Sequence, residues 1–283
     1  MMRYLSFLHR GTPRYGFIEN NGVIDLTQRL GAEFPTLRAF LAGNGAAKID
    51  KLAGRGRADI ALSDISYLPV IPNPDKIICV GLNYESHRLE TGRPPSEYPT
   101  LFTRFANAQV GHEQPLIRPR ESEKFDYEGE IAIVIGKAGR RIPRERAFDY
   151  IAGYSAYNDG SVRDFQRHSS QFTPGKNFVN SGSFGPWLVT RDEVADYKAL
   201  ELVTRINGLE VQRGRASDMI FSLEELIAYC STFTELVPGD VIVTGTPSGV
   251  GFARKPPLYM RPGDRVEVEL VGLMTLVNAV SEG

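Results

Sequence analysis

The chain has 283 residues, 42% of them hydrophobic and 24% charged, which is enough apolar material for a full core in one large domain or a large and a small one. Lys and Arg total 33 against 34 Asp and Glu, so the formal net charge of -1 offers no global field for nucleic acid or an anionic membrane and favours a small neutral or anionic ligand. Two cysteines, Cys79 and Cys230, both in apolar runs, predict buried reduced thiols in a cytoplasmic protein, and no stretch approaches the ~18 apolar residues of a membrane span or forms a secretory leader.

Residues 1 to 71 read as a small N-terminal domain. YLSFL and RYGFI alternate like strands, Asn21-Gly22 signals a hairpin turn before VIDL, and Thr36 to Ala42 suits a short helix. Nothing in this part carries chemistry. The proline-marked join LPVIPNPDK then leads into KIICVGL, and residues 72 to 283 read as a second, catalytic domain. Short strands punctuated by Gly and Pro dominate it, while Ser222 and Glu225 make a capping box for SLEELIAYC. Regular strand-helix alternation is missing, so the fold class is α+β, β-dominated, with a mixed sheet curled on itself.

Chemistry-bearing residues begin in NYESHRLETGRPPSEYP. His87 and Glu90 stand three apart, neighbours on a helical turn, where a carboxylate can hold one imidazole nitrogen and leave the other to accept a proton from water. The Gly92, Pro94, Pro95 and Pro99 that follow predict an irregular loop able to order over a ligand.

DYEGEIAIVIG places Glu128 and Glu130 two apart at the head of a β-branched run. On a strand they share a face, roughly 7 Å apart. GYSAYNDG predicts a second strand turning at Asn158 to Gly160, and if the strand ends adjoin, Asp159 completes an all-oxygen site for Mg²⁺, Mn²⁺ or Ca²⁺ rather than zinc. Four and seven residues beyond Asp159, Arg163 and Gln166 align on a short helix starting near Ser161, suited to a carboxylate or carbonyl. Lys176 follows a Pro-Gly turn, from which a confined lysine beside a metal stabilises an oxyanion or enolate. Finally, VIVTGTPSGVG runs a strand into a Gly-rich loop with Gly245 and Thr246, whose backbone can approach an anion, although no phosphate-loop Gly-Lys follows.

Taken in order, GLNYESHRLE, DYEGEIAIVIG, GYSAYNDGSVRDFQ, PGKNF, FGPWLVT, NGLEVQ and LVPGDVIVTGTPSGVG resemble the fumarylacetoacetate hydrolase family over roughly Lys76 to Val280. The resemblance implies a mixed β-roll, usually a homodimer, behind a small N-terminal α/β domain. It implies Glu128, Glu130 and Asp159 as ligands of Mg²⁺ or Mn²⁺, His87 and Glu90 as a water-activating dyad on a lid, and Lys176 near a substrate enolate. Gln166 and Thr246 match substrate contacts, and Arg163, Gly245 and Tyr84 are counted with them. Gly160, Val162 and Arg104 depart from the family pattern. They are expected not to touch the metal ligands, and the far side of the substrate is expected to be read around Arg104, His168 and Phe172. The activity expected first is metal-dependent C–C hydrolysis of a 2,4-dioxo acid such as fumarylpyruvate to pyruvate and a carboxylic acid. Oxaloacetate decarboxylation, or isomerisation or hydration of a hydroxymuconate-type dienoate through the same enolate, is the alternative, and a non-catalytic binding homologue the remote one.

Overall fold

Strand β6 (Gly129–Ile135) shows why the chain folds as it does: GEIAIVI is buried at every residue, because both faces of its sheet are covered. Ile131, Ile133 and Ile135 enter one core, and the alternate Ala132 and Val134 enter another. The computed structural model describes residues 2–51 and 58–283.

The other principal strands are β1 (Arg3–His9), β2 (Thr12–Glu19), β3 (Gly22–Asp25), β4 (Ile77–Gly81), β5 (Thr100–Arg104), β7 (Ile151–Asn158), β8 (Gly182–Thr190), β9 (Glu201–Ile206), β10 (Leu209–Arg215), β11 (Val241–Val243), β12 (Arg265–Leu270) and β13 (Met274–Glu282). The helices are α1 (Leu26–Leu30), α2 (Leu37–Ala42), α3 (Glu85–Glu90), α4 (Arg163–Gln166), α5 (Thr173–Lys176) and α6 (Leu223–Phe233).

The larger sheet runs β3-β2-β1-β8-β7-β6-β11-β4-β5, with short strands at its margins. Most pairs are antiparallel, but β11 and β4 run parallel, so the sheet is mixed as the sequence suggests. A second sheet, β10-β9-β12-β13, ends on the short strand Leu116–Arg118. Its Leu202, Val268 and Leu270 meet the isoleucines of β6 with Leu223, Leu226 and Ile227 of α6. On the opposite face Ala132 and Val134 share a core with Tyr4, Tyr15 and Phe17 of β1 and β2 in the same sheet and with Phe40 of α2. Because β1 pairs with β8, the sheet continues unbroken from the N-terminal segment into the rest of the chain.

Local signals are obeyed with one shift. Thr36 caps α2 by accepting the Ala39 N–H, and Ser222 and Glu225 bond reciprocally at the head of α6. The β2–β3 hairpin turns one residue earlier than Asn21-Gly22 suggests: Asn20 and Asn21, at φ 49° and 59°, are its central pair, and Glu19 faces Gly22. Asparagine tolerates the left-handed conformation that such a turn demands at both positions. Gly22 instead lies in the strand, where a Cβ would stand 2.4 Å from the Ala58 methyl carbon. Cys79 and Cys230 are free and buried. No described helix is long and apolar enough to cross a membrane.

Candidate metal centre and active site

The β6–β7 pairing assembles the acidic residues. Gly129 faces Asn158, the Asp159 N–H donates to the Glu128 carbonyl at 2.8 Å, and the Asn158 Oδ1 accepts the Glu128 N–H at 3.1 Å. One oxygen from each of Glu128, Glu130 and Asp159 lies within 4.8 Å of the others, and all three residues are buried. The loop after β11 fixes Glu130, whose Oε2 accepts the Gly245 N–H at 2.5 Å. Gly245 sits at φ +105°, and a Cβ there would lie 2.7 Å from that of Asn83, so only glycine fits.

Three buried cations bond two of the three carboxylates, Glu128 and Asp159. Lys176 Nζ donates to Glu128 Oε2 at 2.5 Å and Asp159 Oδ2 at 2.6 Å. Arg163 Nη1 reaches Glu128 Oε1 at 2.7 Å, while its Nε donates to Asp126 Oδ2 at 2.7 Å. Arg104 Nη1 donates to Asp159 Oδ1 at 2.6 Å and to the Gly160 carbonyl at 2.8 Å. The expectation that Arg104 stays clear of the ligands is therefore corrected: β5 lies across the sheet margin from Asp159, and the long guanidinium stem spans the gap.

Burial raises the Glu128 carboxyl, but Arg163, Lys176 and His87 outweigh it and hold it at about 2. Glu130 has only the Gly245 amide and a more remote Lys176 against burial and its two acidic neighbours, and it is pushed well above the usual carboxylate range. Lys176 is lowered by burial yet raised overall by Asp159 and Glu128, so it stays an ammonium at neutral pH. Converging buried oxygens of this kind suit a hard divalent cation, and the donor set holds no thiolate or imidazole.

The candidate dyad is formed. His87 Nδ1 lies 2.7 Å from Glu90 Oε1 on α3, and Glu90 Oε2 accepts the Gly249 N–H at 3.0 Å. Asn83, just before the helix, bonds the Thr244 carbonyl at 2.8 Å and both backbone groups of Phe221, which ties the helix entry to the loop after β11. His87, Glu128, Glu130, Lys176, Gln166 and Thr246 all line one cavity of about 840 Å³. Phe172 lines it too, and Gly92, Pro94 and Pro95 form part of its wall.

Other expected substrate contacts are placed differently. Arg163 borders the cavity with its Nε and Nη1 bound to Asp126, Glu128 and the Gln166 Oε1, while its buried Nη2 has no hydrogen-bond partner among the described residues. The Gly245 amide is committed to Glu130. Tyr84 is wholly buried outside the cavity lining, with its ring against Gly214. His168 is exposed and packs on Phe165 rather than facing the site. Thr246 does face the cavity, with its Oγ1 donating to the Gly129 carbonyl and accepting from Gln212 Nε2, each at 2.8 Å.

Two organising residues escape a reading by motif. Asp126 accepts from Arg163 and from the Gly251 and Phe252 amides, joining the head of β6 to the later loop. Gln212 of β10 bridges Gly129 and Thr246. Asp126 opens the same DYEGE run, so its place beside the glutamates was a usable signal. Gln212 closes the NGLEVQ segment, but nothing in that segment reports its partners, since it enters from the other sheet.

A family model described as fumarylacetoacetate (FAA) hydrolase C-terminal matches residues 76–281. The chain is similar to the mitochondrial oxaloacetate tautomerase FAHD2A of Bos taurus, 38% identical over 99% of this chain and 91% of that one. It is also similar to oxaloacetate tautomerase YisK of Bacillus subtilis, 40% identical over 78% of this chain and 74% of the relative. Among solved structures, maleylpyruvate hydrolase from Sphingobium sp. SYK-6, in complex with manganese(II) and pyruvate, superposes with a TM-score of 0.83 at 27% identity over the whole of both chains.

Proposed function

Since this chain belongs to the fumarylacetoacetate hydrolase family, we propose that it is a divalent-metal-dependent enzyme interconverting the keto and enol forms of oxaloacetate or a close 2-oxo acid. The observation that carries this reading is one cavity into which Glu128 and Glu130 of the acidic triad, a buried lysine ammonium and a carboxylate-anchored imidazole all open. The names of relatives aligned along nearly the whole chain support the same chemistry over C–C hydrolysis as the first choice.

Glu128, Glu130 and Asp159 would hold Mg²⁺ or Mn²⁺, with Ca²⁺ a further hard-ion option. Bound there, the cation supplies Lewis-acid polarisation of a 2-oxo carboxylate. His87 Nε2 accepts the proton released as the C3–H bond breaks, and the electron pair moves through C2 onto its oxygen. Glu90 holds the resulting imidazolium at Nδ1. The Lys176 ammonium, fixed by two carboxylates, stabilises the negative oxygen without acting as a base. In the enol direction water then protonates that oxygen; in ketonisation the enol O–H proton passes to water, the electron pair returns to C3, and His87, protonated at the outset, delivers its Nε2 proton to C3. Thr246 and Gln166 present hydroxyl and amide groups to the bound acid.

A second reading keeps hydrolysis of a 2,4-dioxo acid such as fumarylpyruvate, because the same dyad equally suits water activation. We also propose a homodimer in a reducing cytoplasm, the latter in keeping with two buried free thiols. The deciding experiment supplies oxaloacetate and acetylpyruvate to the metal-loaded protein and follows enol absorbance together with pyruvate. Enol change on oxaloacetate without pyruvate supports the tautomerase. Pyruvate from oxaloacetate would make it a decarboxylase, stoichiometric pyruvate from acetylpyruvate would make it a hydrolase, and no turnover would leave a binding homologue.

A further inference from the structure

We infer that Arg167 is the specificity-determining residue of a distal carboxylate subsite, which selects 2-oxo dicarboxylates over 2-oxo monocarboxylates; this rests on the 2-oxo acid reading of the cavity. Arg163, Lys176 and Arg104 spend their charges on the acidic cluster. Two other arginines line the same cavity, Arg167 just beyond α4 and Arg93 in the loop after α3. Both are exposed, and neither guanidinium forms an ion pair with a described carboxylate.

Arg167 is nonetheless held in place. Its guanidinium carbon lies 4.6 Å from the centroid of the Phe252 ring, which also stacks with Arg163 at 4.5 Å. Arg163 in turn bonds Glu128, so Arg163 and the Phe252 ring connect the acidic cluster to an uncommitted, oriented guanidinium. A short diacid gripped at its 2-oxo carboxylate end would offer its second carboxylate to that fork, and a bidentate arginine–carboxylate pair is the strong form of such recognition. Arg93 lies on a loop with a weaker hold, its carbonyl accepting from Arg88 Nη1 while its own guanidinium is unstacked. It adds positive charge at the mouth.

The test titrates metal-loaded wild type, R167Q and R93Q by calorimetry with 3,3-difluorooxaloacetate, which has two carboxylates, and trimethylpyruvate, which has one. Neither ligand has a C3 proton to surrender. Wild type is expected to prefer the diacid by roughly ten- to a hundredfold, the value of one charge-assisted hydrogen bond. R167Q should lose most of that preference with trimethylpyruvate affinity unchanged, R167K should recover part of it, and R93Q should lose less. The inference is overturned if wild type shows no preference, if R167Q weakens both ligands alike, or if R93Q alone removes the preference. A protein that shows the preference yet does not turn over oxaloacetate would sink the tautomerase reading and leave the subsite standing. Turnover without the preference would do the reverse.

Discussion

His87 and Glu90 are bonded through Nδ1 and Oε1 at 2.7 Å, and the second Glu90 oxygen is fixed by the Gly249 amide. The imidazole is thus oriented from the helix and from the loop after β11 together. His87→Ala is expected to lower kcat by about 10²–10⁴-fold, the range for a positioned general base. Metal affinity should be unchanged, because His87 does not bond the triad. Glu90→Gln keeps the shape but removes the charge that favours the imidazolium, so a smaller loss in kcat is expected. Stopped-flow turnover beside a metal titration separates the two effects.

Lys176 bridges Glu128 and Asp159 in a fully buried setting, so Lys176→Met strands two negative charges. Losing one partner of a buried pair costs about 3–5 kcal/mol. The metal-stripped variant should melt well below wild type, and Mn²⁺ should raise its Tm more than it raises that of wild type, since the cation restores the missing charge. Equal metal-induced shifts in calorimetric melts would refute this account of the cluster.

Arg104 makes four bonds, to Asp159, Gly160, Ala108 and Ser181. A lysine offers a point charge in place of the planar fork and cannot satisfy that set. Arg104→Lys should keep the Asp159 pairing at a measurable loss of stability, and Arg104→Ala should cost about 3–5 kcal/mol in denaturant unfolding. If the alanine variant were as stable as wild type, Arg104 would not hold Asp159.

The triad was legible in the sequence because strand alternation puts Glu128 and Glu130 on one face, and because a strand end at Asn158 is a local signal. The dyad was legible for the same reason, a helical spacing of three. Arg104 was not: it is 55 residues from Asp159, and no periodicity reports a contact made across a sheet. Arg163 was read as a substrate contact from its helix face, which says nothing of Asp126 and Glu128, the carboxylates that hold its Nε and Nη1. The same limit hid what Gln212 of NGLEVQ bonds, since Gly129 lies on the other sheet and Thr246 in the loop after β11.

Glu130 gives a pH dependence with a definite sign. Its folded carboxyl is raised above the ordinary range by burial first, then by Asp159 and Glu128. Without metal, its contribution to stability is fully present below the unfolded value and is lost as pH rises through the raised one. A cation requires the ionised form, so binding should release protons, and affinity should grow as pH rises across that interval. Calorimetric titration of Mn²⁺ in two buffers of different ionisation enthalpy reads the released protons directly. Zero release between the ordinary carboxylate range and neutrality would contradict the raised value.

The most direct measurement of the central claim is the ketonisation of freshly dissolved enol-oxaloacetate, followed by the loss of its enol absorbance. The account predicts acceleration by the Mg²⁺- or Mn²⁺-loaded protein beyond that of the metal alone, abolished by EDTA and in Glu130→Gln, with no pyruvate formed. A rate no faster than free metal, or loss of absorbance matched by pyruvate, would contradict it.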